Sequence, residues 1–166
     1  MTRFANSLIG FVSLLLGFNV VLLACSNQSA AEPPQIIEGR SLCSECHMSI
    51  DDLRFAAAYR LPDGTEGLFD DIGDMVKQQL EDNKLHTASS WVFDFLTMKP
   101  IPVNDAWFIQ CEHITTPMGS GIAAYSLLEN AQKAATAHEV RVVNWTDLVN
   151  QQTTGLSGLT KNQHHH

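Results

Sequence analysis

Gly67-Leu68-Phe69-Asp70-Asp71-Ile72-Gly73-Asp74-Met75-Val76 joins an apolar extended segment to the start of a helix. Asp71 is a good N-cap, and acids in the first turn suit the helix dipole. Ile72, Met75, Val76 and Leu80 recur at helical spacing, which predicts a helix running to about Glu81. Upstream, Pro62-Asp63-Gly64 is a strong turn signal. It predicts a hairpin between Arg54–Arg60 and Gly67–Phe69. Downstream, Trp91–Phe95 reads as another strand. The order is strand, strand, helix, strand.

The same order recurs beyond Pro100 and Pro102. Ala106–Cys111 reads as a strand, Thr115–Gly121 as an irregular loop and Ile122–Tyr125 as a strand. Leu127–Ala137 reads as a helix rich in good formers. Val140–Trp145 alternates like a strand, and a short helix starts at Thr146. Setting Phe55 on Trp107 and Phe69 on Tyr125 aligns two ββαβ units. The expectation is an α+β fold with related units at 41–100 and 101–150. Each is too small for a large core of its own, so the two should pack together. Residues 151–166 read as a disordered tail, with His164–His166 set aside as a tag remnant.

At the other end, residues 1–24 read as an export signal: one basic residue, Arg3, then an apolar run from Leu8 to Leu23. Cys25 after Ala24 resembles a lipobox, making Cys25 the lipidated N-terminus. An uncleaved transmembrane anchor is the alternative. Ser26 after that cysteine points to the outer membrane, on the periplasmic face. Residues 25–40 are small and polar and read as a flexible tether. Loss of Arg3 with the signal takes the net charge from −8 to −9. So acidic a chain is a poor nucleic-acid binder. Export places it where thiols tend to pair. With Cys25 acylated, Cys43, Cys46 and Cys111 remain, an odd number.

The chemistry is densest in Cys43-Ser44-Glu45-Cys46-His47-Met48-Ser49-Ile50. Thiolate and thioether donors suit a soft or borderline metal, and thiols also suit exchange chemistry. If the segment is extended, Cys46 and Met48 share a face and His47 points away. A tetrahedral zinc site lacks its second half, since no other Cys-x-x-Cys or His-x₃₋₅-His pair is native. A thiol-disulfide oxidoreductase using Cys43 and Cys46 is an alternative, as is a plain disulfide between them. Met118, held between Pro117 and Gly119, is a loop methionine that can be aimed at an ion or can plug a hairpin. Met75 and Met98 read as core residues. His113 leads into the Met118 loop, and with His47 is a further candidate ligand. His86 and His138 read as surface residues. Cys111 faces the core or Cys43; a Cys43–Cys111 disulfide would leave Cys46 free, and spacing does not fix that pairing. Asp70, Asp71 and Asp74 read as helix-capping acids ahead of a carboxylate site. No Ser/His/Asp set or phosphate loop supports an enzyme.

Cys46-His47-Met48-Ser49-Ile50, Phe69–Met75, Trp91-Val92-Phe93-Asp94 and Thr116-Pro117-Met118-Gly119 occur in the order of the NosL-type copper lipoproteins. The chain resembles that family from the lipobox to about Trp145. The family's Cys-Gly-Met is Cys-His-Met here, which adds an imidazole. The resemblance implies two ββαβ domains, similar in fold to an organomercury lyase domain. It implies a Cu(I) chaperone supplying the copper–sulfide centre of nitrous oxide reductase, with a recipient copper enzyme and a copper donor protein as partners. On spacing and resemblance together, Cys46 anchors Cu(I), Met118 joins from the second unit, and Met48 or His47 completes the set. A lipid-anchored scaffold without metal is the remaining alternative.

Overall fold

The computed structural model describes residues 32–161, with side chains through Thr153. The expected export signal, Cys25, the first part of the tether and the terminal histidines lie outside the described residues.

The fold is α+β. Strands β1 (Ala57–Arg60), β2 (Glu66–Phe69), β3 (Ser89–Phe93) and β4 (Pro100–Pro102) form one antiparallel sheet, in the order β2-β1-β3-β4. Helix α1 (Ile72–Glu81) follows β2 directly. Strands β5 (Trp107–Gln110) and β6 (Ile122–Tyr125) form a second antiparallel pair. Helix α2 (Leu128–His138) follows β6, and α3 (Trp145–Lys161) closes the described chain.

The first unit matches its expected element order. The Asp71 side chain accepts from the Gly73 N–H at 2.8 Å, capping α1 where the acids predict. Its strands are shorter or shifted: Leu53–Phe55 is a 3-10 turn, and the third strand ends at Phe93. The repeat alignment also moves. Phe69 pairs with Ala57 and Tyr125 with Trp107, so Ala57, not Phe55, is the structural counterpart of Trp107.

The second unit departs further. Val140–Trp145 is not a strand; its pairing reduces to one antiparallel bridge between Phe108 and Val143. Asn144 explains the loss. Its side chain accepts from the Asp147 N–H at 2.9 Å and its carbonyl from the Leu148 N–H at 3.0 Å, so the chain turns into α3 at once. That helix runs to Lys161, through residues 151–161 that read as disordered. The tether reading changes too. Pro34 is buried, Ile36 packs on the core, and Gly39 N–H donates to the Ile50 carbonyl at 2.8 Å.

The two units share one main core. Phe69, Ile72, Met75, Val76 and Val92 meet Phe108, Ile122, Ala124 and Leu148 there. Met75 is fully buried as expected, whereas Met98 is 47% exposed, at a turn with positive φ. Burying each large apolar side chain stabilises the fold by about 1.5–3 kcal/mol. Trp145 ties the units together: its ring packs on Phe108 at 5.5 Å, and its Nε1–H donates to Gln79 of α1 at 3.1 Å. Buried Asp94 makes a second tie. It accepts from Leu96 and Thr97 N–H on its own side and from Ser126 N–H and O–H across the junction, at 2.7–3.0 Å. Burial alone would raise the Asp94 carboxyl, but these donors outweigh it and hold it below its usual range.

Candidate metal centre

The Cys/Met stretch is a tight hairpin rather than an extended segment. Leu42 and Ser49 form a bridge, and Cys43 N–H donates to the Met48 carbonyl at 2.8 Å. Between them, His47 N–H donates back to the Cys43 carbonyl at 3.0 Å, and His47 adopts φ 60°. The expected alternation of Cys46 and Met48 is therefore overturned. A single helical-type turn instead brings residues three apart together, here Cys43 and Cys46.

Ser44 fixes this hairpin to the free edge of β2. Its N–H donates to the Leu68 carbonyl at 2.7 Å, and its Oγ accepts from Leu68 N–H at 3.0 Å. Strand β2 runs on into Asp70, Asp71 and α1, so edge pairing sets the thiols beside the helix start. Lys77 of α1 adds an exposed ion pair to Glu45 at 2.7 Å. Ligand atoms of Cys43, Cys46, Asp70 and Asp74 consequently lie within 4.8 Å of one another. Cys46 Sγ is 3.8 Å from Asp70 Oδ1, and Cys43 Sγ is 3.9 Å from Asp74 Oδ2. Two thiols and two carboxyls in that volume can hold a metal ion.

Burial and charge tune the cluster. Cys43 is buried, which pushes its thiol up to about 11. Burial first, and then the charges of Asp71, Asp70 and Glu45, push the Asp74 carboxyl up to about 6 against the pull of Lys77. Cys46 is half-buried and is the more accessible thiol.

The second unit reaches the cluster through Asp71, which is fully buried. Besides capping α1, it accepts from Thr116 Oγ1 at 2.6 Å, from Met118 N–H at 2.9 Å and from the Ser120 hydroxyl. Loop Thr116–Gly121 is thereby bonded to the residue between Asp70 and Asp74. Gly73 allows the approach, because a Cβ there would fall inside the Ser120 side chain. Asp74 shares one depression, about 270 Å³, with Met118. Asp70 shares another, about 450 Å³, with Met48 and Pro117. Met48 is 50% exposed and Met118 45% exposed, so both thioethers are free to reorient.

The remaining candidates separate. His47 is exposed on the hairpin. His113 lies outside the four-residue cluster and contacts Cys111, with Nδ1 3.4 Å from Sγ. Cys43, Cys46 and Cys111 are all free, so neither the Cys43–Cys111 nor the Cys43–Cys46 disulfide is formed. The sequence favours capping over a carboxylate site for Asp70 and Asp74. The Asp71 cap is real, but its two flanking acids turn to the thiols. Their i, i+4 spacing on either side of a cap was the available signal, and only the docked hairpin gives it meaning.

No protein-family model matches the chain, and no curated protein matches it. Among solved structures, one described as the copper chaperone NosL from Shewanella denitrificans is similar, with a TM-score of 0.61 and 19% sequence identity. The match covers 70% of this chain and 95% of that one. The chain has a NosL-like α+β fold.

Proposed function

We propose that this protein is a Cu(I) chaperone rather than an enzyme. Cys46 supplies the anchoring thiolate, Met118 a thioether from the second unit, and Met48 or His47 the remaining donor. The observation that carries this reading is the bonding of the Met118 loop to Asp71, between the two acids that contact the thiols. Soft donors of this kind favour Cu(I) over harder cations. The likeness in fold to a protein described as a copper chaperone supports the same reading. One anionic ligand neutralises the ion, and exposed thioethers leave room for a recipient's ligands to enter. Release by ligand exchange follows from that openness.

In this reading the chain is lipidated at Cys25 and faces the periplasm, from the outer membrane. A donor protein loads it, and a copper enzyme receives the ion; by resemblance that enzyme is nitrous oxide reductase, at its copper–sulfide centre. The test is copper analysis of protein purified under anaerobic, reducing conditions, followed by competition with a Cu(I) chelator. Tight retention of one Cu(I) per chain is expected. Failure to retain any Cu(I) overturns the reading.

A further inference from the structure

Cys43 has no part in the proposed Cu(I) set, yet the hairpin holds it against Cys46. Both thiols are free, and their sulfur atoms lie within 4.8 Å. Residues three apart on one turn have Cα atoms about 5 Å apart, within the range a disulfide accepts, and a rotation of the more exposed side chain would close the remaining gap between the sulfurs. The two thiols are also unequal. Cys46 is half-buried and open to an incoming reagent, whereas Cys43 is 1% exposed. An accessible attacking thiol beside a sequestered resolving thiol is the arrangement that thiol-disulfide exchange requires.

We propose that Cys43 and Cys46 form a reversible disulfide that removes the copper anchor, so that oxidation of this pair releases Cu(I) and copper loading protects the pair. The inference rests on Cys46 being the Cu(I) anchor. The oxidant is an exchangeable disulfide, RSSR. Cys46 thiolate attacks one sulfur of RSSR, forming Cys46–S–S–R and expelling RS⁻. Cys43 then gives up its proton and attacks Cys46 Sγ, forming the intramolecular S–S bond and expelling a second RS⁻. The two thiol protons end on the two RS⁻ groups. The net change is two cysteine thiols plus RSSR to one disulfide plus two RSH, with both electrons passing to RSSR.

The consequence for copper follows from charge. A disulfide sulfur is neutral, so Cu(I) would be left with thioether or imidazole donors and the hard carboxylates of Asp70 and Asp74, which suit it poorly. Loss of an outer-shell partner already costs about 10–100-fold in metal affinity. Loss of the sole thiolate ligand should therefore cost about 100-fold or more. Release does not need the recipient to outcompete a thiolate.

The test equilibrates the full apo protein in glutathione buffers running from reducing to oxidising, then traps free thiols by alkylation and maps cysteines by mass spectrometry. A Cys43–Cys46 linkage with no glutathione adduct is expected at the oxidising end. It should not form in Cys43→Ser, where Cys46 carries either a free thiol or a glutathione adduct. The isolated oxidised wild type should bind Cu(I) about 100-fold or more weakly than the reduced form, with recovery on reduction. Protein preloaded with Cu(I) should resist the linkage. Absence of the linkage at every potential overturns the proposal, and so does a linked protein with undiminished Cu(I) affinity. If reduced wild type binds no Cu(I) while the linkage still forms, the copper reading has failed and the exchange reading has not.

Discussion

Asp71 Oδ2 accepts the backbone N–H of Met118 at 2.9 Å, across 47 positions of sequence. The same carboxylate caps α1 and takes the hydroxyls of Thr116 and Ser120. One buried side chain therefore sets both the helix start and the loop that carries a candidate copper ligand. Asp71→Ala loses a cap and strands several buried donors, at a cost of about 3 kcal/mol. Its Cu(I) affinity should fall about 10–100-fold, as when the support of a metal ligand is removed. Asp71→Asn should lie between, since it keeps one acceptor but turns an amide N–H₂ toward the loop donors. Thermal unfolding and chelator competition check both effects.

Gly73 offers an independent handle on the same contact. Gly73→Ala places a Cβ against Ser120 and should displace the Met118 loop at an overpacking cost of about 1–3 kcal/mol. Ser120→Gly in that background removes the clash, although it also removes a bond to Asp71. Partial recovery of Cu(I) affinity in the double variant is expected. No recovery would mean that Gly73 acts through α1 and not through the loop.

This part of the molecule shows what sequence can and cannot disclose. Helix α1 was legible because its signals are local: Asp71 as cap and an apolar stripe one turn apart. The hairpin turn at Pro62-Asp63-Gly64 was legible for the same reason. Val140–Trp145 misled because alternation marks a face but not a partner; past Val143 the chain has no ladder to join, and Asn144 starts a helix. The conformation of the Cys/Met stretch is not legible in its composition, because a turn with His47 at positive φ stands where an extended backbone would put Cys46 and Met48 on one face. Met118 is visible as a candidate, but the bonding of its loop to Asp71 spans more than forty positions and leaves no local signal.

Thiol reactivity should divide sharply. At pH 8 a Cys43 thiol raised to about 11 is about one part in a thousand thiolate. Cys111 is also buried, whereas Cys46 is half-buried. Native apo protein, tested on the chain from Ser26 onward, should show one fast thiol and two slow ones toward iodoacetamide. Peptide mapping should place the fast label on Cys46. Equal rates at Cys43 and Cys46 would contradict the burial asymmetry.

The acids predict a pH effect on the apo protein. The folded state raises Asp74 to about 6 from 3.8, so it binds that proton more tightly than the unfolded chain does. This group therefore makes folding less favourable as pH rises from about 4 through 6, and the penalty is constant above that. Asp74→Asn should stabilise the apo protein at pH 7.5 and make no difference at pH 3.5. Solvent screening at this partly exposed site limits the gain to roughly 1 kcal/mol, or about 2–4 °C in Tm. Scanning calorimetry at the two pH values reads it directly.

The proposed site holds one Cu(I) between Cys46 of the first unit and Met118 of the second. Competition against a Cu(I) chelator, under anaerobic reducing conditions, measures this for wild type, Cys46→Ser and Met118→Ala. Cys46→Ser should lose about 100-fold or more and Met118→Ala about 10-fold or more, both with native folds by circular dichroism. Wild-type affinity in both variants would contradict the site.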